Sequence, residues 1–271
     1  MTLTLAYIDN AVTVHVADRR LSIKKGKTYG PDTEDAVKVD LLRGTVLISY
    51  AGRSMVAGVS TPRWLETQLV DSTLELRETL GAIAARLTGL FQGQAYKDHL
   101  LVVTITGWAL GDEGLTPFVG TITNQDPTTL ARLPTFRGVA APLLQATSGV
   151  GGWIATGRIS PAGHAAVDRW VKTVLARGAT AVSVANVFAY QIRREAAIDR
   201  DRTIGKNLRA AILPVSVLEW ALRTGASDYT IGYQSEGHYV LGQPMVVDLP
   251  EGQRMYAIDP AELRRVDDAP A

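Results

Sequence analysis

The chain has no cysteine, which excludes disulfides, thiolate metal sites and a cysteine nucleophile. Its four histidines, His15, His99, His164 and His238, are scattered and form no HExxH or other metal-ligand spacing, so neither a metal nor another cofactor is expected. It has no excess of one charge. Twenty-eight Lys and Arg stand against 27 Asp and Glu, and without a long basic run nucleic acid is not expected as the main partner. No run of 18 apolar residues occurs, and the N-terminus lacks a positive segment followed by an apolar one. A soluble, cytoplasmic protein with no membrane partner is expected.

At 271 residues the chain is long enough to bury a full-sized core, and one large domain with elaborations is expected. Residues 2–8 (TLTLAYI) and 11–17 (AVTVHVA) are β-prone and joined by Asp9-Asn10, which reads as a hairpin. Alternation puts Leu3, Leu5 and Tyr7 on one face and Thr2, Thr4, Ala6 and Ile8 on the other. The polar stretch IKKGKTYGPDTED reads as a loop, and VKVDLL and TVLISYAG form a second hairpin around Arg43-Gly44.

Ser60-Thr61 before Pro62 marks a helix start, with one broken helix or two consecutive ones up to about Leu90. Strands follow at 100–107 and 117–123, then a linker-like stretch over 125–152. Helical periodicity returns over 161–178 and 183–199, a strand is expected at about 207–213, and β-prone segments fill the tail. Strands, helices, strands, helices and strands in that order suggest an α+β fold in which helices cover both outer faces of a sheet pair, a four-layer αββα sandwich.

The second residue carries a chemical possibility. An internal threonine hydroxyl is a poor nucleophile, but a terminal threonine brings its own base, because a free α-amine has a reference pKa of about 7.7–8.0. This requires loss of Met1, and a residue as small as threonine permits that removal. Asp18 closes the first hairpin and Lys38 opens the second, so both can approach Thr2 if the hairpins lie side by side. A lysine ammonium there would lower the cost of the developing alkoxide, and Asp18 would hold the lysine. The small pair Ala51-Gly52 suits an oxyanion donor, since the Gly52 N–H can face a carbonyl oxygen unobstructed. Taken singly, these residues also read as an ordinary second residue, solvated strand-end charges and a plain turn.

The segments TLTLAY, NAVTVHVADRRLS, VKVDLLRGTVLISYAG and REAAIDRDRTIG resemble the proteasome β-type peptidases among the N-terminal nucleophile hydrolases. The sixteen-residue interval from Thr2 to Asp18, the Asp18-Arg19-Arg20 run and the fourteen-residue interval from Lys38 to Gly52 carry the likeness. It covers 2–52 most closely, 100–124 and 153–213 less so, and 215–271 not at all. What the resemblance implies is a peptidase domain over 1–214 with a β-prone extension over 215–271, packed on the domain or at a subunit interface.

It further implies that Thr2 attacks, Lys38 and Asp18 support it, Gly52 receives the oxyanion, and Asp201, Thr156 and Gly157 position the amine and a water. Ser22, Tyr50 and Ala51 would contact substrate, with Tyr50 at the floor of the main specificity pocket. Ser148-Gly149 competes with Thr156-Gly157; the helix pattern directly after the latter favours it. Ile204 departs from the family's serine and removes a hydroxyl.

The implied activity is hydrolysis of extended polypeptide through an acyl-enzyme on Thr2. The implied partners are further copies of the chain in a ring or stacked ring-like assembly and a separate ATPase unfoldase, since the chain has no GxxxxGK[ST] loop of its own. A catalytically silent scaffold, an amidohydrolase of small amides and an unrelated binding protein remain alternatives.

Overall fold

The computed structural model describes residues 2–25, 28–33, 36–42, 44–69, 76–96, 99–111, 114–126, 128–142, 151–176, 180–199, 203–224, 232–234 and 238–258. The first hairpin forms as its sequence dictates, with β1 (Leu3–Ile8) antiparallel to β2 (Val12–Asp18). Asp9 closes its turn, accepting the Ala11 and Val12 amides at 2.7 and 2.8 Å on one carboxylate oxygen. The segment expected to be a loop over 23–35 instead contributes to a hairpin of β3 (Leu21–Lys25) and β4 (Thr28–Thr33). The pair stands apart as its own two-stranded sheet, where Pro31 interrupts no central ladder.

The second expected hairpin is β5 (Val39–Leu42) and β6 (Val46–Gly52), turned at Gly44 with φ +63°. A short pair, β7 (Met55–Val56) and β8 (Val59–Ser60), leads into α1 (Thr61–Leu69) and α2 (Leu76–Phe91), so the helical stretch is two helices. The next two strands, β9 (Leu101–Gly111) and β10 (Gly114–Gln125), run longer than expected. The linker-like stretch contains a further strand, β11 (Arg132–Pro142), paired to β10. Its prolines disguise it. They are tolerated because β11 is the edge of its sheet, and Gly138 is small because α2 lies on it, where a Cβ would overlap the Leu80 carbonyl.

After β12 (Gly152–Gly157) come α3 (Pro161–Ala176) and α4 (Ala181–Ile198), close to the expected spans. Then β13 (Leu208–Pro214) runs directly into α5 (Val215–Thr224), a short helix that the strand-like tail conceals. The tail ends in β14 (Gly232–Gln234), β15 (His238–Val240), β16 (Met245–Leu249) and β17 (Tyr256–Ile258).

These elements make an α+β fold with two main sheets. One has six strands in the order β12-β1-β2-β13-β16-β14, antiparallel throughout except for the β14–β16 pair; the other has five antiparallel strands in the order β11-β10-β9-β6-β5. Alternation decides what each face buries. Leu3, Leu5 and Tyr7 pack with Val167, Phe188 and Ile192 of α3 and α4, whereas Ile8 and Ala17 meet Val39, Leu41, Leu47 and Trp108 between the sheets. On the far side, Ile48, Tyr50 and Val103 pack under α1 and α2 with Leu65, Leu80 and Leu87.

The layer between the sheets is not wholly apolar. His15 Nε2 lies 2.7 Å from Thr106 Oγ1, Thr13 Oγ1 lies 2.5 Å from the same hydroxyl, and Thr104 and Thr156 share a hydrogen bond of 2.6 Å. These bonds cross from one sheet to the other and help fix how the two sit together. Among the described residues, no helix is long and apolar enough to cross a membrane.

Candidate active site

Three side chains 16 to 36 positions apart meet where the two sheets adjoin. Asp18 is the last residue of β2, and the antiparallel register brings it beside the start of β1, so its Oδ1 accepts the Leu3 amide at 2.9 Å. Lys38 immediately precedes β5. Its backbone is fixed by the Tyr50 amide, which donates to the Lys38 carbonyl at 3.0 Å, and by Ala36, whose amide donates to the Arg19 carbonyl at 2.9 Å.

The Lys38 ammonium donates to Thr2 Oγ1 at 2.8 Å, to Asp18 Oδ2 at 2.8 Å and to the Arg20 carbonyl. Three N–H groups thus have three acceptors. Lys38 is 1% and Asp18 0% exposed, so both charges are out of water. A buried pair survives only if its remaining hydrogen-bonding capacity is also met. Asp18 meets it with backbone: besides Leu3, the amides of Arg20 and Gly205 reach its Oδ2 at 3.2 Å each. Because the lysine donates to the Thr2 oxygen, that hydroxyl must direct its own proton elsewhere, and negative charge growing on the oxygen would find a cation in contact.

The backbone of Thr2 is held from β12. Leu3 pairs with Gly157, and the Arg158 amide donates to the Thr2 carbonyl at 3.2 Å. Gly157 has φ +100°, and a Cβ there would overlap the Thr2 carbonyl, so the position requires glycine twice over. Thr156 pairs with Thr4, and its hydroxyl bonds Thr104 of the second sheet. The structure therefore places Gly157 against Thr2 and Thr156 in the inter-sheet layer.

Gly52 ends β6, is exposed and has φ +107°; a Cβ would overlap the Leu100 carbonyl. Ala51 beside it is buried. Ser22 lies on β3 with its backbone opposite Pro31. Asp201 and the competing pair Ser148-Gly149 lie outside the described residues. Asp199 caps the end of α4 and accepts the Thr203 amide at 2.6 Å, the Thr203 hydroxyl at 2.8 Å and the Ile204 amide at 2.9 Å, fixing the turn that leads into Gly205. This residue was missing from the sequence reading, although an aspartate at a helix end with threonine four residues on is a recognisable turn-closing pattern.

A cleft of about 520 Å³ is bordered by Leu21, Val37, Asp40, Tyr50, Pro62 and Glu66; none of Thr2, Asp18 and Lys38 lines it, and Val37, beside Lys38 in sequence, is its link to the cluster. Tyr50 forms its inner wall at 2% exposure, and burial raises its phenol, with the Asp18 carboxylate adding to the effect. One residue thus touches the field of the ion pair and the wall of the cleft. Burial likewise raises the Asp40 carboxyl, against the opposing pull of the Leu41 amide and the Arg209 guanidinium, with a smaller push upward from Glu66. The rim is open, with Met55, Ser60 and Arg63 exposed. Among the described residues, no three acidic or histidine side chains gather to hold a metal ion.

No family model matches the chain, and no curated protein matches it. Solved structures do. Thiobacillus denitrificans BPH aligns at 15% identity and TM-score 0.44, covering 78% of this chain and 97% of its own. A Gly-1 mutant of Anbu from Hyphomicrobium sp. strain MC1 aligns at 12% identity and TM-score 0.47, covering 85% and 98%. These findings correct the resemblance to the proteasome β-type peptidases: the similar structures are described as BPH and Anbu, at identities too low to carry a family's residues across. The intervals that suggested it are hairpin lengths, which two adjacent hairpins joined by a buried Lys–Asp pair reproduce without common membership.

Proposed function

We propose that the chain is an N-terminal nucleophile hydrolase whose attacking group is the Thr2 hydroxyl once Met1 is removed. The observation that carries this reading is the buried Lys38 ammonium, in hydrogen-bond contact with both Thr2 Oγ1 and the Asp18 carboxylate. Surface lysines are solvated and mobile, whereas this one is desolvated, fully paired and aimed at a hydroxyl beside the chain terminus. Such an arrangement favours alkoxide formation.

In this mechanism the freed α-amine of Thr2, directly or through a water, takes the hydroxyl proton as Oγ1 attacks a substrate carbonyl. Lys38 stabilises the oxygen, and Asp18 orients Lys38. The Gly52 N–H stands as the oxyanion donor, and the protonated amine passes its proton to the leaving nitrogen. Water then hydrolyses the ester on Thr2. Asp201, Thr156 and Gly157 belong to the proposal as the groups around the amine, Gly157 through its grip on the Thr2 backbone.

The substrate class is an extended polypeptide. The open rim of the cleft favours it over a small amide, with Ser22 and Ala51 alongside the substrate backbone and one side chain directed toward Tyr50. Exposed Trp170 on α3 and Tyr190 on α4 would be covered by a second copy, so self-assembly belongs to the same proposal.

The testing experiment is intact-mass measurement of the mature protein with and without a threonine-directed electrophile such as a β-lactone. Loss of Met1 and a single adduct on Thr2, absent in Thr2→Ala, are expected. A retained Met1, or labelling unchanged in the variant, overturns the mechanism. A catalytically silent scaffold is the second reading, and engagement of the Thr156 hydroxyl by Thr104 favours it; it predicts a freed terminus that takes no adduct.

A further inference from the structure

The Lys38–Asp18 pair beside Thr2 is itself braced by residues about 190 to 235 positions later in the chain. Asp248 on β16 lies directly opposite Arg209 on β13 and receives it bidentately, at 2.7 Å from Nε and 3.1 Å from Nη2. The same carboxylate receives Arg19 Nη1 at 3.0 Å. Arg209 and Asp248 are 7% and 9% exposed.

Arg19 is a crossing point. Its side chain reaches Asp248, its amide donates to the Asn207 carbonyl at 2.9 Å, and its carbonyl accepts the Ala36 amide, two residues before Lys38. Its neighbours in sequence are Asp18 and Arg20, the two residues to which Lys38 donates besides Thr2.

A second tie runs through the segment 203–207, which brings the Gly205 amide to Asp18. Arg193 of α4 donates to the carbonyls of Lys206 at 3.2 Å, Leu249 at 3.1 Å, Pro250 at 2.6 Å and Gln253 at 2.6 Å, binding this segment and the tail to one guanidinium. The Glu251 amide donates to Asn207 Oδ1 at 3.0 Å. Residues 248–253 therefore grip both flanks of Asp18.

A buried arginine–aspartate pair adds little net stability over an apolar pair of similar volume, but it fixes direction. From this geometry we infer that the segment 245–255 positions the Lys38–Asp18 pair against Thr2, with Asp248 as the positioning residue. The catalytic part of the inference rests on the hydrolase reading above; the positional part does not.

The test compares Asp248→Asn, Arg19→Gln and the control Lys172→Gln in the full-length chain. Amide exchange at Leu3 and Gly205 is measured alongside turnover of a fluorogenic peptide. For Asp248→Asn, exchange at those two amides should rise about tenfold. The same variant should lower kcat by about 10- to 100-fold with KM little changed, because the reacting groups are misplaced while the cleft is intact. Arg19→Gln breaks only one arm of the carboxylate and should give a smaller effect of the same kind; it also serves if Asp248→Asn does not fold. Lys172→Gln, in an exposed pair with Asp168 on α3 and outside both ties, should change neither readout. A folded Asp248→Asn and a folded Arg19→Gln with wild-type exchange at both amides overturn the inference, as does a fall in kcat no larger than the fraction unfolded. If the wild-type chain turns over no peptide and forms no Thr2 adduct, yet exchange responds as stated, the hydrolase reading fails and the positional inference stands.

Discussion

Lys38 Nζ lies 2.8 Å from Thr2 Oγ1 and 2.8 Å from Asp18 Oδ2, so one ammonium is shared between a hydroxyl and a carboxylate, all of it buried. Stability and chemistry can be separated there. Lys38→Ala leaves Asp18 buried without its cation and should cost about 3–5 kcal/mol of stability as well as nearly all Thr2 acylation. Replacing both partners, as in Lys38→Met with Asp18→Asn, which keeps a carboxamide oxygen for the backbone amides that Asp18 accepts, should recover part of the stability and none of the acylation. Urea unfolding and intact-mass labelling of the two variants read the two effects. Acylation surviving in the folded double variant would remove the lysine from the mechanism.

Gly157 makes a different demand, steric rather than electrostatic. With φ +100° and the Thr2 carbonyl where a Cβ would go, Gly157→Ala must push the start of β1 away from β12. The expected loss is about 1–3 kcal/mol from the backbone conformation alone, with Thr2 labelling slowed further because its oxygen leaves the lysine. Gly114, with φ +110° but open space around its Cβ position, is the control. Gly114→Ala should lower the thermal midpoint and leave labelling of the folded protein unchanged.

Much of this architecture was readable because alternation and helical periodicity are local. The paired hairpins, α3 and α4, and the separation of Leu3, Leu5 and Tyr7 from Ile8 follow from turn residues and side-chain period, whereas periodicity leaves α1 and α2 open between one broken helix and two. The edge strand β11 and the β3–β4 hairpin were hidden by prolines and polar residues, which a sheet edge accepts and a central strand would not. At the site, the side chains Thr2, Asp18 and Lys38 had a chemical signature. The amides of Leu3, Arg20 and Gly205 had none, because any residue supplies an N–H and only the fold decides where it points. Asp248 lies 210 positions from Lys38, and nothing in a local window connects them.

Tyr50 should govern which substrate side chain the cleft admits. Its ring forms the inner wall, so Tyr50→Ala would deepen the cleft. The expected result is a shift in kcat/KM toward peptides with bulkier side chains at the cleaved residue, by roughly 10- to 100-fold relative to small ones. Tyr50→Phe keeps the wall and should keep the preference. Equal preferences in Tyr50→Ala and the wild type, measured on a matched series of fluorogenic peptides, would place the substrate side chain elsewhere.

His15 sets an acid limit on the fold that is independent of the chemistry at Thr2. It is fully buried between the sheets, and burial lowers its pKa from the ordinary 6.5 to about 3. In the unfolded chain it would bind a proton near 6.5, so between that pH and about 3 the unfolded state holds more protons than the native one, and stability falls as pH falls. The contribution is intact above about 6.5 and declines by up to about 1.4 kcal/mol per unit below it, levelling off only once the native state also protonates. Urea unfolding at pH 7 and pH 5 should therefore show a drop that His15→Gln largely removes. The glutamine variant should start less stable at pH 7, because the hydrogen bond between His15 and Thr106 is altered, yet its curve should be flatter. Parallel pH curves for the two proteins would mean that acid acts through other groups and that His15 titrates normally in the folded chain.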